Sequence, residues 1–138
     1  MNTVILLKIA GVLHLTLMWA GATMPRTVGL RSHIAGLPPF IRNLFWVYFT
    51  FIGLMLFSFG LMTFVYAPEM AAGEPVARGL CWFLTAFWTL RLVAAAFVFD
   101  VRPYLTTWLY RAGYHATNIV FCLLVLVYAW VAWTGGTR

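Results

Sequence analysis

Four long apolar runs, at about residues 3–23, 41–66, 76–99 and 113–133, leave this chain few ways to fold. Crossing a hydrocarbon core of about 30 Å takes roughly 20 helical residues, and each run has that length. No water inside lipid can satisfy backbone N–H and C=O groups, so each run must close its hydrogen bonds within itself as a helix. Over all 138 residues the hydrophobic share is 64% and the charged share 9%, with a mean hydropathy of +0.92. Those values fall outside the range of water-soluble domains. The sequence predicts an all-α fold, an integral membrane antiparallel four-helix bundle that forms a single transmembrane domain over residues 1–138.

The net charge of +6 would suggest a nucleic-acid partner in a soluble protein. Here the basic residues sit at the ends of the apolar runs, so they read as topology determinants, and no nucleic-acid partner is expected. Arg26, Arg31, Arg42, Arg102 and Arg111 fall in or beside loops one and three, whereas Lys8, Arg78 and Arg138, with Glu69 and Glu74, fall on the other side. This bias predicts loops one and three in the cytoplasm and both termini outside, in a cell inner membrane. Ala20-Gly21-Ala22 resembles a signal-peptide cleavage site, but no positive charge precedes the run and Lys8 and His14 interrupt it. A retained first helix is expected.

The connections carry their own signals. Residues 24–40 hold Pro25, Pro38 and Pro39 with Gly29 and Gly36, enough to stop helix one and restart at Pro38-Pro39. The second loop runs from Ala67-Pro68 to Glu74-Pro75, with Pro75 in the first turn of helix three, where its missing donor costs nothing. In the third connection Tyr104, Leu105, Trp108 and Leu109 have the spacing of a short amphipathic surface helix over about 103–110, with Arg102 and Arg111 reaching headgroups.

Arg91 lies near the middle of its apolar run, and no acidic residue in the sequence is expected at that depth. A guanidinium keeps its proton, so it must face a protein interior, a watery cavity, a bound anion or the carbonyls of another helix. At ~1.5 Å per residue, His14 lies about 15 Å in from Met24 and Arg91 about 14 Å in from Asp100, both from the same side. Cys122 is level with them, and Asn118 and His115 lie nearer the surface. The expectation is a polar funnel that narrows toward His14 and Arg91, with His14, Arg91, His115 and Asn118 as candidate ligand- or cofactor-binding residues. Its donors suit an anionic or carbonyl-rich ligand. Each also has a plainer reading: His14 as an interhelical hydrogen-bond partner, His115 as an interfacial residue, Cys122 as a packing residue and His33 as solvated.

Small residues mark the expected seams, because membrane helices approach closely where side chains are short. Helix one offers Gly11, His14, Met18 and Gly21, and helix two offers Thr50, Gly53, Phe57 and Gly60. Trp88, Arg91, Ala94 and Ala95 form a comparable stripe on helix three, and His115, Asn118 and Cys122 share a face of helix four. Cys81 and Cys122 sit in no CxxC pattern and on different helices, which argues against a disulfide. No P-loop, GxGxxG, HExxH, GxSxG or paired carboxylate motif is present.

The first helix and its exit read His14, Trp19, Ala20-Gly21, Pro25-Arg26, with a later His33. This order resembles the opening of HemJ-type protoporphyrinogen oxidases and of copper-resistance-D-like membrane proteins, over about 25 residues. Arg91 stands on the third helix, where HemJ-type chains carry a lysine. The resemblance implies haem b held through membrane histidines, with His14 as the iron ligand and His33 in the place of the histidine after Pro-Arg. His14 and His115 are offset by about 10 Å along the membrane, so a five-coordinate haem on His14 is the simpler geometry. Copper(I) on Cys122 and methionines is a lesser option.

Three functions stay open on the sequence. One is an accessory or ligand-binding membrane subunit whose partners are the lipid bilayer, other membrane subunits or a second copy of the chain. Another is a haem b-binding redox or tetrapyrrole-handling protein, and the third is a small anion or lipid transporter in which Arg91 holds a phosphate or carboxylate.

Overall fold

The computed structural model describes residues 2–98, 101, 103 and 106–135. Within them the helices are α1 (Thr3–Thr27), α2 (Leu30–Ile34), α3 (Pro39–Val65), α4 (Ala67–Ala72), α5 (Pro75–Phe97) and α6 (Trp108–Thr134). The four long ones, of 23 to 27 residues, are apolar enough to cross a membrane. At ~1.5 Å per residue they reach roughly 35–40 Å, sufficient for a bilayer core with part of each interface. α1 pairs with α3 and α5 pairs with α6, each antiparallel, and the two pairs close into one bundle.

Local sequence sets the helix ends. The Asn2 side chain accepts the Val4 N–H at 3.0 Å and so caps α1. Pro39 and Pro75 occupy the first turns of α3 and α5, where no intrahelical donor is needed. Gly29 opens α2 at φ 60° and Gly73 closes α4 at φ 78°, both in the left-handed region that favours glycine. α1 continues through Pro25 to Thr27, past the stop expected near residue 23. α6 starts at Trp108, so Trp108 and Leu109 form its first turn. Thr106 and Thr107, within the expected surface helix over 103–110, are not helical, and Thr107 caps α6 by accepting the Tyr110 N–H; Tyr104, Leu105 and the neighbouring Arg102 lie outside the described residues.

The second loop, expected as a plain connection, contains the helix α4. α4 turns Ala67 and Met70, three residues apart, fully into the protein, where the helix meets α1, α3, α5 and α6. It plugs the end of the bundle that carries the N-terminus and the end of α6. There a β-carbon on Gly135 would stand 3.0 Å from the Gly73 Cα. Arg78 Nε donates to the Ala132 carbonyl at 2.8 Å, so it satisfies one of the acceptors that a helix leaves open in its last turn.

Inside, Leu7, Cys81, Leu84, Trp88, Leu124 and Tyr128 form a close-packed core. Outside, the long helices expose Phe, Leu, Ile and Trp along their lengths, α3 above all. In water such surfaces would aggregate; in a bilayer they face acyl chains at no cost.

Candidate functional site

Gly11 on α1 and Gly60 on α3 bring two backbones together at the heart of the bundle. A β-carbon on Gly60 would stand 2.9 Å from the Gly11 carbonyl and 2.9 Å from the His14 Cβ. This contact leaves room for one imidazole one turn further along α1. His14 is completely buried, and the rings of Phe59, Trp88 and Tyr128 surround it at centroid distances of 6.4, 5.2 and 6.0 Å, all edge to face.

Both nitrogens of His14 are engaged. Nδ1–H donates to the Ala10 carbonyl one turn back at 2.8 Å. On the other side Trp88 Nε1–H, which can only donate, reaches Nε2 at 3.2 Å. A donor at one nitrogen and an acceptor at the other define the neutral Nδ1–H tautomer. A second bond in the same core joins Thr63 on α3 to the Tyr128 hydroxyl on α6 at 2.7 Å. Each interhelical bond ties one helix pair to the other, α1 to α5 and α3 to α6.

Trp88 and Phe121 stand between His14 and Arg91. The Trp88 ring stacks on Phe121 at 5.1 Å, and the Arg91 guanidinium lies over Phe121 at 5.2 Å from the ring centre. Two aromatic rings thus link the histidine to the arginine. Arg91 is exposed on α5, within electrostatic reach of Tyr114 on α6.

The expected funnel does not form among the described residues, and the reason is rotational. α6 turns Phe121, Leu124 and Tyr128 inward, and residues one position away point about 100° off that direction. Asn118 is half-buried and donates to the Tyr114 carbonyl at 2.9 Å. His115 and Cys122 are exposed, as is His33, whose Nδ1 meets the Gly29 carbonyl at 3.0 Å on α2. The glycine stripes hold over one half only. Gly11 and Gly60 make contact, while β-carbons on Gly21 and Gly53 would find no atom within 4 Å.

Haem on His14 is a poor fit to this arrangement. Iron ligation through Nε2 would displace the Trp88 hydrogen bond, and the macrocycle would need the space that Phe59, Trp88 and Tyr128 now fill. Among the described residues no three His, Cys, Asp or Glu side chains gather as a metal-binding group.

The open space lies elsewhere. A groove of about 480 Å³ at the loop-one end is lined by Arg31, Ile34 and Ala35 from α2 and its exit, and by Arg42 and Trp46 from α3. On the sequence Arg31 and Arg42 read as topology determinants; the signal for a shared groove is Arg42 and Trp46 at helical spacing just after Pro38-Pro39. The chain matches no protein-family model, no curated protein and no solved structure.

Proposed function

We propose that this four-span membrane protein acts by binding within the bilayer, as an accessory or ligand-binding subunit, and not through covalent chemistry at His14. The observation that carries this reading is the commitment of both His14 nitrogens to Ala10 and Trp88 inside a ring-packed core. A histidine so held supports architecture: it joins α1 to α5 and has no free lone pair for iron or a proton acceptor's work. Toward the loop-one end, Arg31 and Arg42 line an accessible groove. The charge bias puts that end in the cytoplasm of an inner membrane.

The test is the absorption spectrum of protein purified in mild detergent from haem-replete cells, oxidised and reduced, beside His14→Ala. Absence of a stoichiometric Soret band, with a defined second membrane subunit or second copy recovered by cross-linking, is the expected result. A stoichiometric Soret band abolished by His14→Ala would overturn the reading in favour of a haem protein.

A further inference from the structure

We propose that the groove between α2 and the start of α3 is a binding site for an anionic phospholipid, with Arg31 and Arg42 holding its phosphate and Trp46 at the level where headgroup meets acyl chain. The assignment stands apart from the accessory reading, and either can fail alone.

The groove is built on fixed parts. Gly29 turns the chain out of α1 at φ 60°, and Ile34, 7% exposed, pins α2 to the protein body. Pro38 is extended and Pro39 begins α3, so Arg42 and Trp46, one turn apart, project from the same face of a rigid helix. Arg31 completes the lining from α2. Two guanidinium-bearing side chains line one open volume, and the carboxylates described in the structure, Glu69 and Glu74, belong to the opposite end of the bundle. Two cations lining one volume favour a shared counter-anion, and the planar fork of arginine matches phosphate oxygens in pairs.

A tail is expected on that phosphate because of what lies beneath. Trp46 packs edge to face on Phe45 and Phe49 at 5.6 and 5.8 Å, an aromatic group of the kind that sits at a membrane interface. Further in, added β-carbons on Gly21 and Gly53 would meet no atom within 4 Å, in contrast to Gly11 and Gly60. Val47, Phe51, Leu54 and Phe57 are exposed on the same helix. An acyl chain descending from the groove meets apolar surface along its way, which a free phosphate could not use.

Native mass spectrometry of the detergent-solubilised full chain, titrated with phosphatidylglycerol or phosphatidylcholine, tests the site. Each arginine near a membrane surface contributes about a factor of five to anionic-lipid binding. Arg31→Gln with Arg42→Gln should therefore weaken phosphatidylglycerol retention by roughly 25-fold and leave phosphatidylcholine unchanged. Arg31→Lys with Arg42→Lys, which keeps charge and fold, should retain an intermediate level. Three outcomes would each overturn the proposal: an equal loss in Arg26→Gln with Arg111→Gln, which reports diffuse charge; no loss in the glutamine pair; or equal competition by millimolar glycerol phosphate, which reports a soluble ligand.

Discussion

Trp88 donates its indole N–H to His14 Nε2 across 3.2 Å, and through that bond α5 is tied to α1. A donor-only indole on one nitrogen and a backbone carbonyl on the other leave the imidazole one tautomer, neutral with its proton on Nδ1. Three aromatic rings around it exclude water, so the bond has no solvent competitor.

Trp88→Phe keeps a large ring and removes the donor, which leaves Nε2 buried without a partner. The expected cost is about 1–3 kcal/mol, read as a lower midpoint of thermal unfolding in detergent. In the His14→Leu background the same change should cost less, with a coupling of about 0.6 kcal/mol, the average for interhelical hydrogen bonds in membranes, and no more than about 1.7 kcal/mol. Strictly additive costs would show that the two side chains do not interact.

The Thr63–Tyr128 bond should behave as a pair in the same way. Thr63→Val and Tyr128→Phe each strand a buried hydroxyl, at about 1 kcal/mol apiece. The double variant should unfold close to either single one, because it strands nothing. A double variant that loses the sum of both would rule out the 2.7 Å contact.

Glycine substitutions should divide sharply by position. Gly60→Ala drives a methyl to 2.9 Å from the Gly11 carbonyl and the His14 Cβ; the first is backbone and cannot step aside, so the α1–α3 pair must part. Gly53→Ala meets nothing and gains helix propensity, up to about 1 kcal/mol. Denaturation in mixed detergents should rank Gly53→Ala at or above the parent and Gly60→Ala well below it. Equal stability of the two variants would contradict the packing at Gly60.

Arg78 is expected to hold the last turn of α6. Its Nε–H reaches the Ala132 carbonyl at 2.8 Å, a charge-assisted bond of about 1.5 kcal/mol at the low end of its class. Arg78→Met should speed amide exchange over Val131–Gly135 roughly tenfold by the usual conversion of about 1.4 kcal/mol, with exchange near His14 unaltered. Unchanged exchange at the α6 end would remove Arg78 from that role.

Several of these elements are visible in the sequence and several are not. Helix starts at Pro39 and Pro75 follow from proline chemistry, and the inward placing of Gly11 and Gly60 follows from the rule that small residues mark seams. The same rule overreached at Gly21 and Gly53, because a glycine facing open space has the same letter as one facing a backbone. α4 was legible only as Pro68 and Gly73 bracketing Glu69 to Ala72, a pattern too short to separate from a turn. His14 was recognisable as important, but its partner was not. Trp88 belongs to the stripe expected on helix three, but spacing along one helix does not say which residue of another helix its N–H meets.

By itself the sequence determined that this chain enters a membrane and crosses it four times as helices. Run length sets the number of crossings, and lipid leaves the backbone no partner but itself. The tertiary structure alone decided which helix lies beside which and how each is rotated. A helix that is apolar on every side carries no amphipathic stripe to fix its rotation in lipid. Rotation is set instead by a few matched contacts between distant residues: Gly11 on Gly60, Trp88 on His14 and Thr63 on Tyr128. Those contacts turn Trp88 and Tyr128 inward and leave His115 and Cys122 outside.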